Sequence, residues 1–301
     1  MSDVLEVVIV VVTYNSEQVI DACLDSLATA TTRLQVEVVV VDNGSADATV
    51  DRVTKRDGIT LVRSTNIGYS GGINLGVRSA SSAGAILILN PDVVLHPGCL
   101  DPLVDALEVR GTGIAVPRIV NADGTLGRGL RREPTLSRAL GLGATGRPAF
   151  AEYVDDPNEY LTSHVVDWAV GAAMLVSREC YDAVGGWDES YFLYSEETDF
   201  CLRSRDLGYA TRFEPAAAVT HAGGHSGRDV VTHTMQVVNR IRLYRRRHGW
   251  LASWAYFCVT ILAEISWALR DGAYHLSAIG ALLIPSRRPA ALGCSDRVMP
   301  R

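Results

Sequence analysis

Val7-Val8-Ile9-Val10-Val11-Val12, broken at once by Thr13-Tyr14-Asn15-Ser16, is a β-branched run without a polar position. A strand apolar on both faces belongs in a parallel sheet covered by helices on either side. The rest of the N-terminal half repeats this pattern. Ser16 and Glu17 open a predicted helix through Ala28. Val36–Val41 is a second buried strand, ending in Asp42-Asn43-Gly44-Ser45. A helix over Ala48–Arg56 leads to a short strand Thr60–Arg63. A further helix over Gly71–Ala80 precedes the strand Ala85–Leu89, which runs into Asn90-Pro91-Asp92. This alternation implies an α/β fold with a mostly parallel sheet and right-handed crossovers. Such sheets bind ligands beyond the carboxyl ends of their strands, so polar residues there are candidates by position.

The second half is less regular. Residues from about Val120 to His164 are rich in Gly, Arg and Pro and read as an extension or a mobile loop. Strand-like signals return over Val165–Ser177, Gly185-Gly186-Trp187-Asp188 is a loop, and Tyr191–Gly208 passes from acidic to helical. A helix from about His233 to His248 and the apolar stretch Leu251–Leu269 follow, and the chain from Pro285 onward reads as a loose tail.

Composition narrows the function. The 301 residues are 48% hydrophobic and 21% charged, which excludes both a disordered chain and a polytopic membrane protein. With 28 Lys and Arg against 34 Asp and Glu, the net charge of −6 has the wrong sign for a nucleic-acid binder. The lone lysine, Lys55, is outside any glycine-rich loop, which excludes a Walker-type phosphate loop. The cysteines, Cys23, Cys99, Cys180, Cys201, Cys258 and Cys294, form no C-x-x-C pair and read as reduced thiols of a cytosolic protein. Met1–Leu5 carries no basic leader, so no secretory signal is expected.

Three acidic groups stand at informative places. Asp42 closes the second strand, where a carboxylate can hold a nucleobase or ribose; an Asx turn into Gly44 is the alternative. Asp92 closes the fourth strand and can ligate a hard cation at a pyrophosphate; plain turn chemistry is the alternative. Glu196, Glu197 and Asp199 follow the aromatic run Tyr191-Phe192-Leu193-Tyr194. There desolvation and like charge would raise a pKa toward that of a general base, unless the acids merely complement a helix dipole. The first strand does not end in G-x-G-x-x-G, which argues against a nicotinamide enzyme.

Together, Thr13-Tyr14-Asn15, Asp42-Asn43-Gly44-Ser45, Asn66-Ile67-Gly68-Tyr69-Ser70-Gly71-Gly72-Ile73-Asn74, Asn90-Pro91-Asp92, Gly185-Gly186-Trp187-Asp188-Glu189 and Glu196-Glu197-Thr198-Asp199 resemble glycosyltransferase family 2 in order and spacing. Within it the chain resembles the bacterial rhamnosyltransferase branch, from about Val7 to Gly249. The resemblance implies a GT-A fold, a nucleotide-diphospho-sugar transferase architecture with a C-terminal helical extension. It implies inverting transfer of a sugar, with dTDP-rhamnose the expected donor and a saccharide or polyprenyl-linked glycolipid the expected acceptor. Thr13, Tyr14, Asn15, Asp42, Asn66, Gly68, Asn90 and Asp92 would bind the nucleotide sugar. Asp92 and His221 would hold a divalent metal, Mg²⁺ or Mn²⁺. Asn90 stands where the family's D-x-D motif has its first acid, and an amide is the weaker ligand. Glu197 occupies the position of the family's base, with Asp199 the runner-up. Trp187, Asp188, Glu196 and Trp168 are the acceptor-site candidates. A nucleotidyltransferase and a non-catalytic sugar-nucleotide-binding protein are the rival readings. The first lacks a basic glycine-rich loop after the first strand, and the second draws only on Asn90 and Glu197.

The expected organisation is a catalytic domain over 1–232, with its nucleotide-binding half at about 1–118 and its acceptor half at about 119–232. A helical region over 233–284 and a flexible tail over 285–301 complete it. Arg240, Arg242, Arg245, Arg246 and Arg247 make the first C-terminal helix basic and amphipathic, a pattern suited to an anionic inner-leaflet surface. Leu251–Leu269 has about the length of a span, but Glu264 near its middle is costly in hydrocarbon, so an interfacial or packing helix is expected. A cytoplasmic enzyme, peripheral on the inner face of the membrane, is the resulting expectation, with a homo-oligomer as one candidate assembly.

Overall fold

The structure, a computed structural model, describes residues 6–222, 229–292 and 298. Strands β1 (Glu6–Thr13), β2 (Gln35–Asp42), β3 (Ile59–Arg63) and β4 (Ala85–Leu89) alternate with helices α1 (Ile20–Leu27), α2 (Thr49–Val53) and α3 (Gly68–Ser79). Then come β5 (Val93–Leu95), α4 (Leu100–Leu107), β6 (Thr112–Asn121), β7 (Leu126–Gly127), β8 (Leu130–Arg131) and α5 (Leu136–Ala139). Strands β9 (His164–Val166), β10 (Trp168–Ala169) and β11 (Ala173–Ser177) precede α6 (Arg178–Val184), α7 (Glu196–Asp206) and β12 (Ala210–His221). Three helices close the chain: α8 (Val230–Arg247), α9 (Trp250–Asp271) and α10 (Ala273–Leu283).

The main sheet has the order β3-β2-β1-β4-β11-β6-β12-β5. β1 is parallel to β2 and β4, β2 to β3, and β6 to β12, while β11 inserts antiparallel between β4 and β6. The all-apolar β1 is explained by its two faces. Val7, Ile9 and Val11 join one core with Ile20, Leu24, Leu100 and Leu103. Val8, Val10 and Val12 join the other with Ile73, Val77, Tyr181 and Phe200. Glycines bring α3 close to the sheet. A Cβ at Gly72 would lie 2.6 Å from Val12 Cγ1, and one at Gly76 would collide with Val10 Cγ1.

The register aligns the strand ends that position the site. Thr13 lies opposite Asp42, and Val11 lies opposite Leu89 one residue before Asn90, so their polar successors share one edge. β5 pairs antiparallel with β12, placing Val93 opposite His221 and bringing Asp92 to the end of β12.

Two expectations are corrected here. The stretch from Val120 to His164 is not a single loop: it holds β7, β8, α5 and 3-10 turns, tied in by the buried Tyr160, whose hydroxyl receives the Leu130 N–H and donates to the Val154 carbonyl. The loose tail begins instead as two 3-10 turns, Pro285–Arg287 and Ala290–Leu292, with Leu292 only 1% exposed in a third core formed by α8, α9 and α10; residues 293–297 and 299–301 lie outside the described residues. The five described cysteines are free thiols, four of them buried.

The basic helix is also not the anionic-surface element expected from its arginines. Arg240 pairs with Glu152 and donates to the Tyr256 hydroxyl, Arg246 pairs with Asp188, and Arg247 pairs with Asp206 and lies near Glu133. Arg242 is fully buried, donating to the Ser190 carbonyl and to Asn239 Oδ1 with its guanidinium over the Tyr191 ring. These four arginines thus meet groups of the protein itself, and Arg242 and Arg246 fasten α8 to the loop before α7.

Candidate active site

At the carboxyl edge, Asp42 is 2% exposed and its carboxylate accepts from Thr13 Oγ1 at 3.2 Å, Gly44 N at 3.2 Å and Ser45 N at 3.1 Å. The Asx turn is therefore present, and it leaves part of the carboxylate's capacity of about four acceptor positions unused. Asn15, held at a φ of +50°, donates its N–H to Ser45 Oγ and accepts the Ala46 N–H, lacing the ends of β1 and β2 together. Tyr14 beside it is 54% exposed. Asn66 caps the Gly68 N–H, and it lines a cleft of about 370 Å³ with Ile67, Glu189, Ser190 and Phe192. Gly68 has a φ of +80° and backs onto Phe192, whose carbonyl would lie 2.6 Å from a Cβ there, so only glycine fits.

Asp92 and His221 are brought together, Oδ2 to Nε2 at 3.2 Å, and both remain partly exposed. Asn90 does not join them. Its Oδ1 accepts the Tyr69 hydroxyl at 2.6 Å, and that hydroxyl also lies 3.3 Å from the Gly171 carbonyl. Sequence reasoning gave Tyr69 no role, yet it is the hub of the site. Burial, then the nearby charges of Glu196, Glu197 and Asp92, push its pKa well up, so it stays a neutral donor.

The acidic cluster separates into distinct environments at the start of α7. Glu196 and Glu197 each have a buried Oε2 without a hydrogen-bond partner. Burial, reinforced by the charge of Glu197, raises Glu196 well above the ordinary carboxylate range; burial also raises Glu197, opposed in part by Arg131. Asp199, also raised by burial, accepts from Arg203 Nε at 2.6 Å, and the terminal nitrogens of Arg203 donate to the Val184 and Gly186 carbonyls. Asp199 thus anchors α7 to the glycine loop, whereas Glu197, whose Cβ packs against Gly171, keeps its Oε2 unpaired. The helix is entered through Tyr194 and Ser195 at φ of +69° and +71°, a strained corner whose carbonyls at Leu193 and Tyr194 accept from Asn239 Nδ2 on α8.

Two acceptor-site candidates are corrected. Trp187 is 3% exposed and stacked on Phe200 at 4.8 Å between centroids, so it has no ring face for a sugar. Trp168 is 8% exposed and donates its indole N–H to the Arg132 carbonyl. Asp188 stays partly exposed and accepts from Arg246 and the Ser190 N–H; burial acts to raise its pKa, but these partners lower it overall. The residues of the histidine segment beyond Ala222, including His225, lie outside the described residues.

This fold, with Asp92 and the buried carboxylate pair all close enough to act on Tyr69, is that of a glycosyltransferase. Glycosyl transferase family 2 matches residues 8–164. The chain is 32% identical over 295 residues, 90% of each chain, to the N-acetylglucosaminyl-diphospho-decaprenol L-rhamnosyltransferase of Mycobacterium tuberculosis H37Rv. It is 29% identical over 150 residues to the rhamnosyltransferase WbbL of Escherichia coli K12, covering 48% of this chain and 54% of that one. The chain belongs to glycosyltransferase family 2 and is a glycosyltransferase, which sets aside the nucleotidyltransferase and non-catalytic readings. Its GT-A fold is shared with GalNAc-T7, solved with UDP, GalNAc and Mn²⁺ (TM-score 0.65, 15% identity, 92% of this chain and 55% of that one). It is also shared with the mannosyltransferase PcManGT of Pyrobaculum calidifontis, solved with GDP-Man and Mn²⁺ (TM-score 0.58, 17% identity, 99% and 85%).

Proposed function

We propose that this enzyme transfers L-rhamnose from dTDP-rhamnose, with inversion, to a polyprenyl-diphosphate-linked saccharide in cell-wall or surface polysaccharide assembly. Its similarity to the mycobacterial rhamnosyltransferase over 90% of both chains supports the donor and acceptor classes. The observation that carries the chemistry is the pair of unpartnered carboxylate oxygens on Glu196 and Glu197 beside the strand-end acids. Two adjacent buried carboxylates do not ionise together easily. Burial raises both carboxyls, Glu196 the more strongly, and on that asymmetry we assign Glu196 as the one that retains a proton and Glu197 as the base.

In the proposed reaction Glu197 takes the proton of an acceptor hydroxyl, whose oxygen attacks the anomeric carbon as the bond to the diphosphate breaks and dTDP leaves. Thr13, Asn15 and Asp42 hold the nucleoside, and Tyr14 offers its exposed ring to the base. Asp92 and His221, converging and open on one side, fit a divalent ion completed by diphosphate oxygens and water. When bound, that ion, Mg²⁺ or Mn²⁺, supplies charge stabilisation to the leaving diphosphate. Asn90, turned to Tyr69, positions the hydroxyl hub rather than ligating the ion.

A cytoplasmic enzyme resting on the inner face of the membrane suits such an acceptor. Support comes from α9, the one described helix long and apolar enough to cross a membrane. Leu251, Ala255, Cys258, Leu262, Ile265 and Leu269 recur at alternating steps of four and three along it, and Leu251, Leu262 and Leu269 are 75%, 64% and 85% exposed. Its opposite face, with Tyr256, Phe257 and Glu264, is buried on protein. The helix therefore lies along a surface rather than through one.

The test is dTDP release and product mass with dTDP-rhamnose and a short-chain polyprenyl-diphosphate-GlcNAc, with Mn²⁺ and with chelator. Transfer that requires metal in wild type and disappears in Asp92→Ala is expected. Transfer from a different nucleotide sugar would overturn the donor, and undiminished transfer in chelator would overturn the metal role.

A further inference from the structure

Glu264 stands within the long apolar helix α9, 8% exposed, where an isolated carboxylate would be costly. Two other helices answer it. From the first turn of α8, His233 Nε2 lies 2.9 Å from Glu264 Oε2; from the first turn of α10, His275 Nδ1 lies 2.7 Å from the same oxygen. The three donor atoms all lie within 4.8 Å of one another. Burial acts to raise the Glu264 pKa, but hydrogen bonds from both imidazoles lower it overall, so the carboxylate is ionised. The side chains keep 11–17% of their surface open, enough for an ion to enter. The His275 ring is set by stacking on Trp267 and by an edge contact with His233.

We propose that His233, Glu264 and His275 form a binding site for a borderline transition-metal ion, Zn²⁺ in the first instance, that staples α8, α9 and α10 together. Two imidazoles and one carboxylate are the donor set of zinc, with the fourth position left to water. Hard ions such as Mg²⁺ and Ca²⁺ prefer oxygens, which makes this site chemically distinct from the Asp92–His221 pair. Tetrahedral ligation separates donor atoms by about 3.3 Å, given metal–ligand distances of about 2.0–2.1 Å. The two carboxylate–imidazole contacts need to open by roughly half an ångström, each facing ring nitrogen changing from hydrogen-bonding partner to ligand. The ligands are 31 and 11 residues apart in sequence, so the ion cross-links all three helices.

The test uses the full-length protein, stripped with chelator, in a His221→Ala background so that the strand-end pair does not compete. CoCl₂ should give the visible absorption bands of a nitrogen- and oxygen-ligated ion at one equivalent. ZnCl₂ at a hundredfold excess over its Kd should raise Tm by about 5 °C. Adding Glu264→Gln or His275→Gln should abolish both signals and lower affinity at least about a hundredfold, since even second-sphere changes cost about 10–100-fold. His275→Gln alone should leave transfer to a soluble acceptor unchanged. No cobalt bands in the His221→Ala protein, or an undiminished zinc response in a folded His275→Gln variant, would overturn the site and leave a hydrogen-bonded triad. The cobalt measurement stands even if the ligand variants fail to fold.

Discussion

Glu197 and Asp199 are two residues apart and both are raised by burial, yet only Asp199 carries a tight ion pair. Glu197→Gln should lower kcat by about 10²–10⁴ with donor KM nearly unchanged, the usual contribution of a general base. Asp199→Asn should chiefly lower stability, by about 1–3 kcal/mol, by weakening the hold on Arg203. The reverse pattern in kinetics and urea unfolding would exchange the two assignments. Glu196 makes a pH prediction. Its native pKa lies well above the ordinary glutamate value of 4.5, so the folded state binds more protons than the unfolded chain between those limits. Stability from this group is therefore complete below about pH 4.5 and falls as pH rises toward the native pKa. Glu196→Gln should gain on wild type by up to about 1.4 kcal/mol per pH unit across that window. Parallel urea-midpoint curves for the two proteins would refute it. The sequence showed these acids but not their division of labour, because the partners lie far along the chain: Arg131 for Glu197, and a glycine loop for the Asp199–Arg203 pair.

Among the elements, β1 and α3 were the most legible. A run of valines can be buried on both faces only between helical layers, and Gly72 with Gly76 marks the helix that lies closest to it. Gly76→Ala should cost about 1–3 kcal/mol through overpacking against Val10 and Val41, read as a lower urea midpoint at unchanged slope. The basic face of α8 was legible as charge but not as contact. A local pattern cannot distinguish arginines that face lipid from arginines that face Glu152, Asp188 and Asp206, all distant in sequence. Trp187 and Trp168 misled for a similar reason: burial against Phe200, or under Arg132, is a property of the fold and not of the residue.

For the whole molecule, surface attachment rests on the outer stripe of α9. Wild type should sediment with vesicles of bilayer lipid at both low and high salt, because the contact is apolar, and Leu251→Glu with Leu262→Glu should release it. Salt-sensitive binding that survives those substitutions would return the role to charge. The parallel half-sheet and its strand-end acids were readable from order and spacing; the convergence of α8 on the acceptor half was not, since it depends on Asn239, Arg242 and Arg246 meeting residues 188–194. That meeting bears on divisibility. The corner at Tyr194-Ser195, from which Glu197 is presented, is latched by an amide that the chain supplies only at residue 239. A protein cut after residue 232 would keep every described strand and every proposed nucleotide ligand, yet its proposed base would spring from an unlatched hinge. Donor affinity would survive such a cut and turnover would not, so the enzyme's chemistry ends later in the chain than its sheet does.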